Sequence, residues 1–403
     1  MAAAYRKTLN RRAGTEVFLT SLRLGLTSFG GPVAHLGYFE RTYVRERGWI
    51  TAEAYAELLA LCQFLPGPTS SQVGFLIGLR QAGIKGALAA WVGFTLPSAL
   101  LMYAFALFVP HDPGTLMQAV IHGLMLSAVA VVAQAVLNMA RTLCPDWERT
   151  GIAILAGALL LFRANAAAQL IALSMGAAAG WFLCRRVNIP AIDSTPPVRP
   201  RLAWLGLTTF VILLLILPLL AALAPHTPLA LAAIFYRAGA LVFGGGHVVL
   251  PLLRQALVPD GWISDDTFLA GYGFAQAMPG PLFTVAAYLG AASAPPNLSG
   301  LWAALALIAM FLPGLLLCAS SLSLWGRLKQ RTAPRAILAG VNASAVGILA
   351  AALYNPVWTG AVRNAVDAAV VVVGFVLLLR WRTPPIAVVA LCVVTSLSEA
   401  LML

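Results

Sequence analysis

The sequence predicts an all-α polytopic membrane protein built from two inverted-topology repeats with broken or re-entrant helices. Three features lead to that class: long uncharged apolar runs, a set of motifs that occurs twice in the same order, and a lone apolar run between the two sets. Of 403 residues, 60% are hydrophobic and only 10% charged, where a soluble domain carries about a quarter charged. Mean hydropathy is +0.86. Leu202 to Ala224 contains no charge at all, which exceeds the roughly 20 residues a helix needs to cross a bilayer. Backbone groups in lipid must be satisfied internally, and the two-residue alternation of a barrel is missing, so the spans are helices.

Residues 1–15 form a basic arm whose RKTLNRR stretch, Arg6 to Arg12, is followed by no cleavage pattern and reads as a retained cytoplasmic segment. The first repeat then occupies residues 16–184 and the second residues 229–403. Their correspondence is direct. RLGLTSFGGPVAHLGYF from Arg23 matches RAGALVFGGGHVVLPLL from Arg237; GWIT at Gly48 matches GWIS at Gly261; QFLPGP at Gln63 matches QAMPGP at Gln276. FTLP ending at Pro97 pairs with FLP ending at Pro313, and SAVAVVAQAVLN from Ser127 with SAVGILAAALYN from Ser344. The offsets stay between 213 and 217, and a register that persists over most of both halves marks an internal repeat.

Between the repeats, residues 185–201 are rich in Pro and Arg and read as a cytoplasmic linker, followed by the apolar run 202–224, a helix without a counterpart in the first half. One extra crossing turns the second repeat over. Charge agrees, since Arg41, Arg45, Arg47, Arg80 and Lys85 in the first repeat face only Arg254 in the equivalent region of the second, and basic residues favour cytoplasmic loops. Inverted repeats around a midplane site are a transporter design.

Each repeat opens with two segments of about 30 residues, interrupted by FGG or PGP, followed by four simple spanning helices. At about 45 Å such a segment overshoots a bilayer core, and proline disrupts it centrally. Re-entrant hairpins, giving nine crossings, and full crossings, giving about 13, both fit the lengths.

The candidate chemistry sits at these breaks. Arg23 and Arg237 each lie six residues before the Phe of the glycine-rich break. An ionised residue inside a membrane segment costs about 2.5–3.5 kcal/mol or more and calls for a partner or a role; a guanidinium keeps its charge and suits oxyanions. The ordinary alternative is snorkelling, or pairing with Glu16 or Glu40. Gly30, Gly31, Gly244 and Gly245 allow sharp turns. Pro66-Gly67-Pro68 before Thr69, and Pro279-Gly280-Pro281 before Thr284, set up helix N-termini that can seat an anion, although glycines also serve plain helix packing. Gln63 and Gln276 could donate to an oxyanion, while His35, His247 and His122 could bind substrate, carry a proton, or only pack. Glu57 and Asp367 are placed to pair with arginine or carry protons.

Other classes fit poorly. The formal charge is +12, from 26 Lys plus Arg against 14 Asp plus Glu, but aromatic residues barely interleave with the basic clusters, which argues against nucleic acid. Five cysteines occur singly and read as packing residues. No Walker loop, metal-ligand spacing or nucleophile–base constellation is present, so no enzyme activity, cofactor or metal is expected.

Taken together, FGGPVAHLGYF with QFLPGPTSSQVG, and FGGGHVVLPLL with QAMPGPLFTVAAYLG, resemble the two signatures of the chromate ion transporter family in its long, two-domain form. The resemblance covers nearly the whole chain. It implies a multi-pass protein of the bacterial inner membrane that exports chromate, with sulfate as the alternative small oxyanion. The lipid bilayer is the one further partner expected, and a homodimer stays open.

Overall fold

The computed structural model describes residues 2–29, 31–108, 114–163, 166–184, 200–242, 249–328, 332–381 and 383–402. Most of the linker, 185–199, together with Gly30, Gly244, Gly245 and His247, lies outside them. The described residues are helical, with no strand among them. In chain order the helices are α1 (Ala2–Thr27), α2 (Gly31–Phe39), α3 (Ala52–Phe64), α4 (Thr69–Phe108), α5 (Thr115–Leu143), α6 (Trp147–Phe162), α7 (Ala166–Leu183), α8 (Pro200–Leu223) and α9 (Pro228–Leu241). Then follow α10 (Val249–Leu257), α11 (Asp265–Ala277), α12 (Val285–Ala292), α13 (Ser299–Leu328), α14 (Thr332–Ala352), α15 (Thr359–Ala361), α16 (Ala365–Arg380) and α17 (Pro385–Met402). Helix α1 takes in the basic arm. Five stretches are long and apolar enough to span a membrane: Thr69–Phe108, Thr115–Leu143, Ala203–Leu223, Pro296–Ser321 and Ala336–Ala361. This is a polytopic α-helical membrane protein.

The interrupted segments double back. Had α1 and its continuation crossed the bilayer, Glu16 and Arg47 would stand more than 40 Å apart at about 1.5 Å per residue. Instead Arg47 Nη1 donates to Glu16 Oε1 at 2.8 Å, and Ser21 Oγ meets Tyr43 OH at 3.2 Å. The tip of this hairpin is the non-helical Ser28–Phe29 step and Gly31, whose φ is +74°. The returning limb is α2 and a π-helical segment, Glu40–Glu46. A second hairpin follows, with Leu65–Pro68 between α3 and α4 as its tip and Gln81 Nε2 donating to Trp49 O at 2.9 Å near its base. At Ala82–Gly83 α4 bends sharply, with Gly83 at φ +63°, and its longer arm runs back past the first. Gly78 and Gly86 lie against each other's backbone there.

The second half repeats the plan. Rings of His226 and Trp262, at the two ends of the α9–α10 hairpin, lie 4.8 Å apart, and Tyr288 OH donates to Thr267 O at 3.1 Å across α11 and α12. Between hairpins, Gly48 and Gly261 take φ +61° and +73°. Thr51 and Ser264, both at φ −74° and ψ 160°, cap α3 and α11 by accepting from the N–H three residues on. The hairpin alternative is the one adopted; full crossings are not.

Contacts between halves run head to tail. Tyr103 OH, late in α4, is 3.2 Å from Ser299 Oγ, the first residue of α13. Phe105 stacks on Phe274 at 3.8 Å. Cys62 of α3 and Cys318 of α13 bring their sulfurs to 4.0 Å.

The remaining helices exchange partners. Helix α5 packs against α16 and α17 of the second half, whereas its counterpart α14 packs against α6 and α7 of the first. Gly180 and Gly340 sit backbone to backbone, as do Gly157 and Gly347; Ser344 Oγ donates to Ala172 O at 3.0 Å. Lengths of 16 to 18 residues make α6, α7, α16 and α17 about 24–27 Å long, shorter than the simple spans expected. Helix α8 keeps its apolar surface outward, with Leu219 and Leu223 67% and 83% exposed, as a lipid-facing helix should.

Candidate substrate site at the hairpin tips

Each half's PGP tip bonds the other half at the carbonyl that precedes its glycine-rich break. Gly67 N–H donates to Val242 O at 2.8 Å, and Gly280 N–H donates to Ser28 O at 2.9 Å. Val242 and Ser28 are equivalent positions, each just before the Phe of its break. Both glycines need their residue type twice over. Their φ values are +118° and +93°, a region that L side chains rarely enter. A Cβ on Gly67 would stand 3.0 Å from Gly314 Cα, and one on Gly280 would stand 2.8 Å from Ser98 Oγ. Those neighbours follow Pro97 and Pro313, so the tips rest against the middles of α4 and α13.

Around the first tip the polar groups are buried. Ser28 is 0% and His35 1% exposed. Nε2 of His35 donates to Ser28 O at 3.1 Å, the oxygen that also receives Gly280, and the ring packs edge-on to Phe94 at 5.4 Å between centroids. Gln72, fully buried, donates through Nε2 to Pro66 O at 2.8 Å and Gly314 O at 3.2 Å, tying one half's tip to the other half's helix. The intrahelical ladder of α4 starts with Gln72 N–H to Pro68 O, so the N–H groups of Thr69, Ser70 and Ser71 precede it. Ser28 Oγ, Ser71 Oγ, Thr95 Oγ1 and Gln276 Nε2 are buried donors without a partner among the described residues. Two acceptor atoms, His35 Nδ1 and Gln72 Oε1, are in the same condition. The three hydroxyls can turn their hydrogens toward a ligand, and with the Gln276 amide they could donate to an anion.

The arginines flank this region. Arg23 and Arg237 each stand five residues before the tip carbonyls of Ser28 and Val242, about 7.5 Å along a helix. Both are exposed and neither makes an ion pair among the described residues. The acidic partners considered for them are taken: Glu16 by Arg47 and Glu40 by Arg45, each at 2.8 Å. Arg237 lines a cavity of about 790 Å³ with Gln169, Gln255, His226, Asp260 and Trp262. Arg23 is not among the residues that line it.

The other candidates fall into place around the tips. Pro66, Pro68, Pro279 and Pro281 are buried within them, and Thr69 opens α4. Gln63 is exposed at the end of α3, whereas Gln276, half-buried in the last turn of α11, bonds Tyr272. His122 lies elsewhere. It pairs with Asp367 at 3.0 Å, correcting the arginine partner considered for that carboxylate. Glu57's side chain lies outside the described residues. Sequence reading passed over Ser28, Gln72, Gln169 and Gln255; the signal for Gln72 was a lone amide inside the apolar start of α4.

Two stretches of the chain, residues 15–181 and 229–397, match the family described as chromate transporter. A probable chromate transport protein of Synechococcus elongatus is 31% identical over 82% of this chain and 81% of its own. Chromate transport proteins of Pseudomonas aeruginosa and Cupriavidus metallidurans are each 28% identical over 91% of this chain, covering 87% and 88% of theirs. No solved structure matches. With both halves matched, the chain belongs to the chromate transporter family, in its two-domain form.

Proposed function

We propose that the protein exports chromate across the bacterial inner membrane as a secondary carrier, with the oxyanion held between the hairpin tips and recruited by Arg23 and Arg237. Family membership supports chromate as cargo. The observation that carries the site is the reciprocal pair of tip bonds, Gly67 to Val242 and Gly280 to Ser28. These bonds bring the broken-helix ends of both halves together amid buried, unpartnered donors. The contacts of the end of α4 with the start of α13 and with α11 support repeats inverted about the membrane midplane, with the tips at mid-depth. Rocking one set of tips against the other would then open the site to each side in turn.

The driving force follows from charge. A dianion leaving an inside-negative cell gains roughly 4.6 kcal/mol per 100 mV, from about 2.3 per charge. That sustains a gradient of about three decades at roughly 1.4 kcal/mol each. Potential alone therefore suffices for export, and proton exchange would add to it.

Radiolabelled chromate uptake by everted vesicles tests this, with Arg23→Ala and Arg237→Ala beside wild type and sulfate as competitor. Accumulation that needs the potential and is lost in both variants is expected. Wild-type accumulation no higher than in vesicles lacking the protein would remove chromate as cargo, undiminished uptake by the variants would remove the arginines from the site, and equal inhibition by sulfate would broaden the cargo to tetrahedral dianions.

A further inference from the structure

We propose that His122 and Asp367 form a proton-binding site, distinct from the hairpin tips, whose loading and unloading is coupled to anion transport; the inference rests on the transport reading above. The pair joins the halves, His122 standing on α5 and Asp367 on α16, with Nε2 and Oδ1 3.0 Å apart. The carboxylate side chain is 1% exposed and the imidazole 11%. Asp367 is held as an acceptor: Oδ2 receives Arg363 N–H at 2.8 Å, and its own N–H is taken by Asn364 Oδ1 at 2.8 Å in the first turn of α16.

Because a carboxylate only accepts, Nε2 keeps its hydrogen toward Oδ1. The exchangeable proton therefore binds at Nδ1, which is buried without a partner among the described residues. With Nδ1 protonated the pair is an imidazolium–carboxylate of zero net charge. Without that proton a neutral imidazole faces a carboxylate, and one negative charge stays buried between the halves. Loading thus strengthens the tie between α5 and α16, and unloading weakens it. An imidazole can take up and release a proton at one ring nitrogen while the other stays hydrogen-bonded.

Few other groups could take over the role. Helix α17 brings Cys392 against Gly123, with Glu399 about two turns further along. Helix α11 brings Tyr272, one residue from the Gly273 that packs on Leu124, its hydroxyl engaged with Gln276. From the segment before α16 come the Arg363 backbone and Tyr354, the latter 61% exposed. Residues 336–352 of α14 carry no titratable side chain.

Asymmetry separates this pair from scaffolding. The repeat equivalent of His122 is Ala339. The equivalent of Asp367, third after the helix cap, is Arg149, which bonds its own cap residue Asp146 locally. The same helix packing is made in the other half without a buried ionisable pair among the described residues, and such pairs inside a membrane protein mark proton and ion pathways.

The test uses the purified full chain in proteoliposomes with a trapped pH dye, measuring labelled chromate and proton movement together. Wild type should move protons when chromate moves, and a pH gradient at zero potential should drive net chromate flux. Asp367→Asn, which can still accept from Arg363, and His122→Gln should lose both while retaining exchange of labelled for unlabelled chromate. A merely structural pair would lose exchange and net flux together, which would overturn the proposal, as would proton movement persisting in both variants. Wild-type chromate flux without proton movement overturns the proton site and leaves the carrier standing, even if neither variant folds. No chromate flux in wild type removes the transport reading and the proton site with it.

Discussion

Helix α14 on α6 and α7, and helix α5 on α16 and α17, are two versions of one arrangement, and they are filled differently. The α14 cluster closes through glycines: Gly340 meets the backbone of Gly176 and Gly180, and Gly347 meets that of Ala153 and Gly157. The α5 cluster closes through Gly123 against Val393, Gly374 against the Val388 side chain, a bond from Gln134 Nε2 to Leu378 O at 3.1 Å, and the His122–Asp367 pair. Close backbone approach is the general glue of membrane helices. Polar groups in the same place are not needed for it, so the pseudo-symmetric scaffold is set by small residues and the chemistry by departures from symmetry.

The comparison is most sharply tested at Gly340. Gly340→Ala drives a methyl into the Gly176 carbonyl, and overpacking of this kind costs about 1–3 kcal/mol, so a large drop in melting temperature in detergent is expected. Gly374→Ala meets only side-chain atoms, Val388 Cγ1 at 2.9 Å and Ala130 Cβ at 3.4 Å, and the better helix propensity of about 0.5–1 kcal/mol offsets part of the crowding. Equal melting of the two variants would show that the clusters do not differ in closeness.

An intermediate effect belongs to the tips. Gly67→Ala and Gly280→Ala each force a side chain to positive φ, a strain of about 1–3 kcal/mol. Gly67 should suffer more, because its obstacle is the Gly314 backbone whereas that of Gly280 is the Ser98 hydroxyl. Melting of both variants, with Gly280→Ala/Ser98→Ala as rescue, checks the order. The smallest effect is the most symmetric one. Thr51→Ala and Ser264→Ala remove identical caps and should each cost about 1 kcal/mol; unequal losses would show that the two hairpin bases carry different loads.

What could be read from sequence follows the range of the interaction. Gly48 with Thr51, and Gly261 with Ser264, encode a left-handed turn and a cap within four residues, and the structure gives both copies nearly the same dihedrals. The breaks at FGG and PGP were equally local. Hairpin or crossing was open, because length alone sets it; Glu16 meeting Arg47 decides it. The partner of Asp367 was unreadable for the same reason, since His122 is 245 residues away. So was the exchange of α5 and α14, which no spacing encodes. At the candidate site, the PGP tips were legible as local breaks, but the amide of Gln72 that ties one half's tip to the other half's helix was not.

The exchange of helices also orders the protein's synthesis. When α5 enters the membrane, α16 and α17 have not been made, and Gly67 N–H waits for a carbonyl 175 residues downstream. The first half therefore stands in lipid with open faces until the last helix arrives, and long-range pairing of this kind is slow. The C-terminal helices complete the N-terminal half, so loss of α17 would be felt first at α5, in the half of the chain farthest from the truncation.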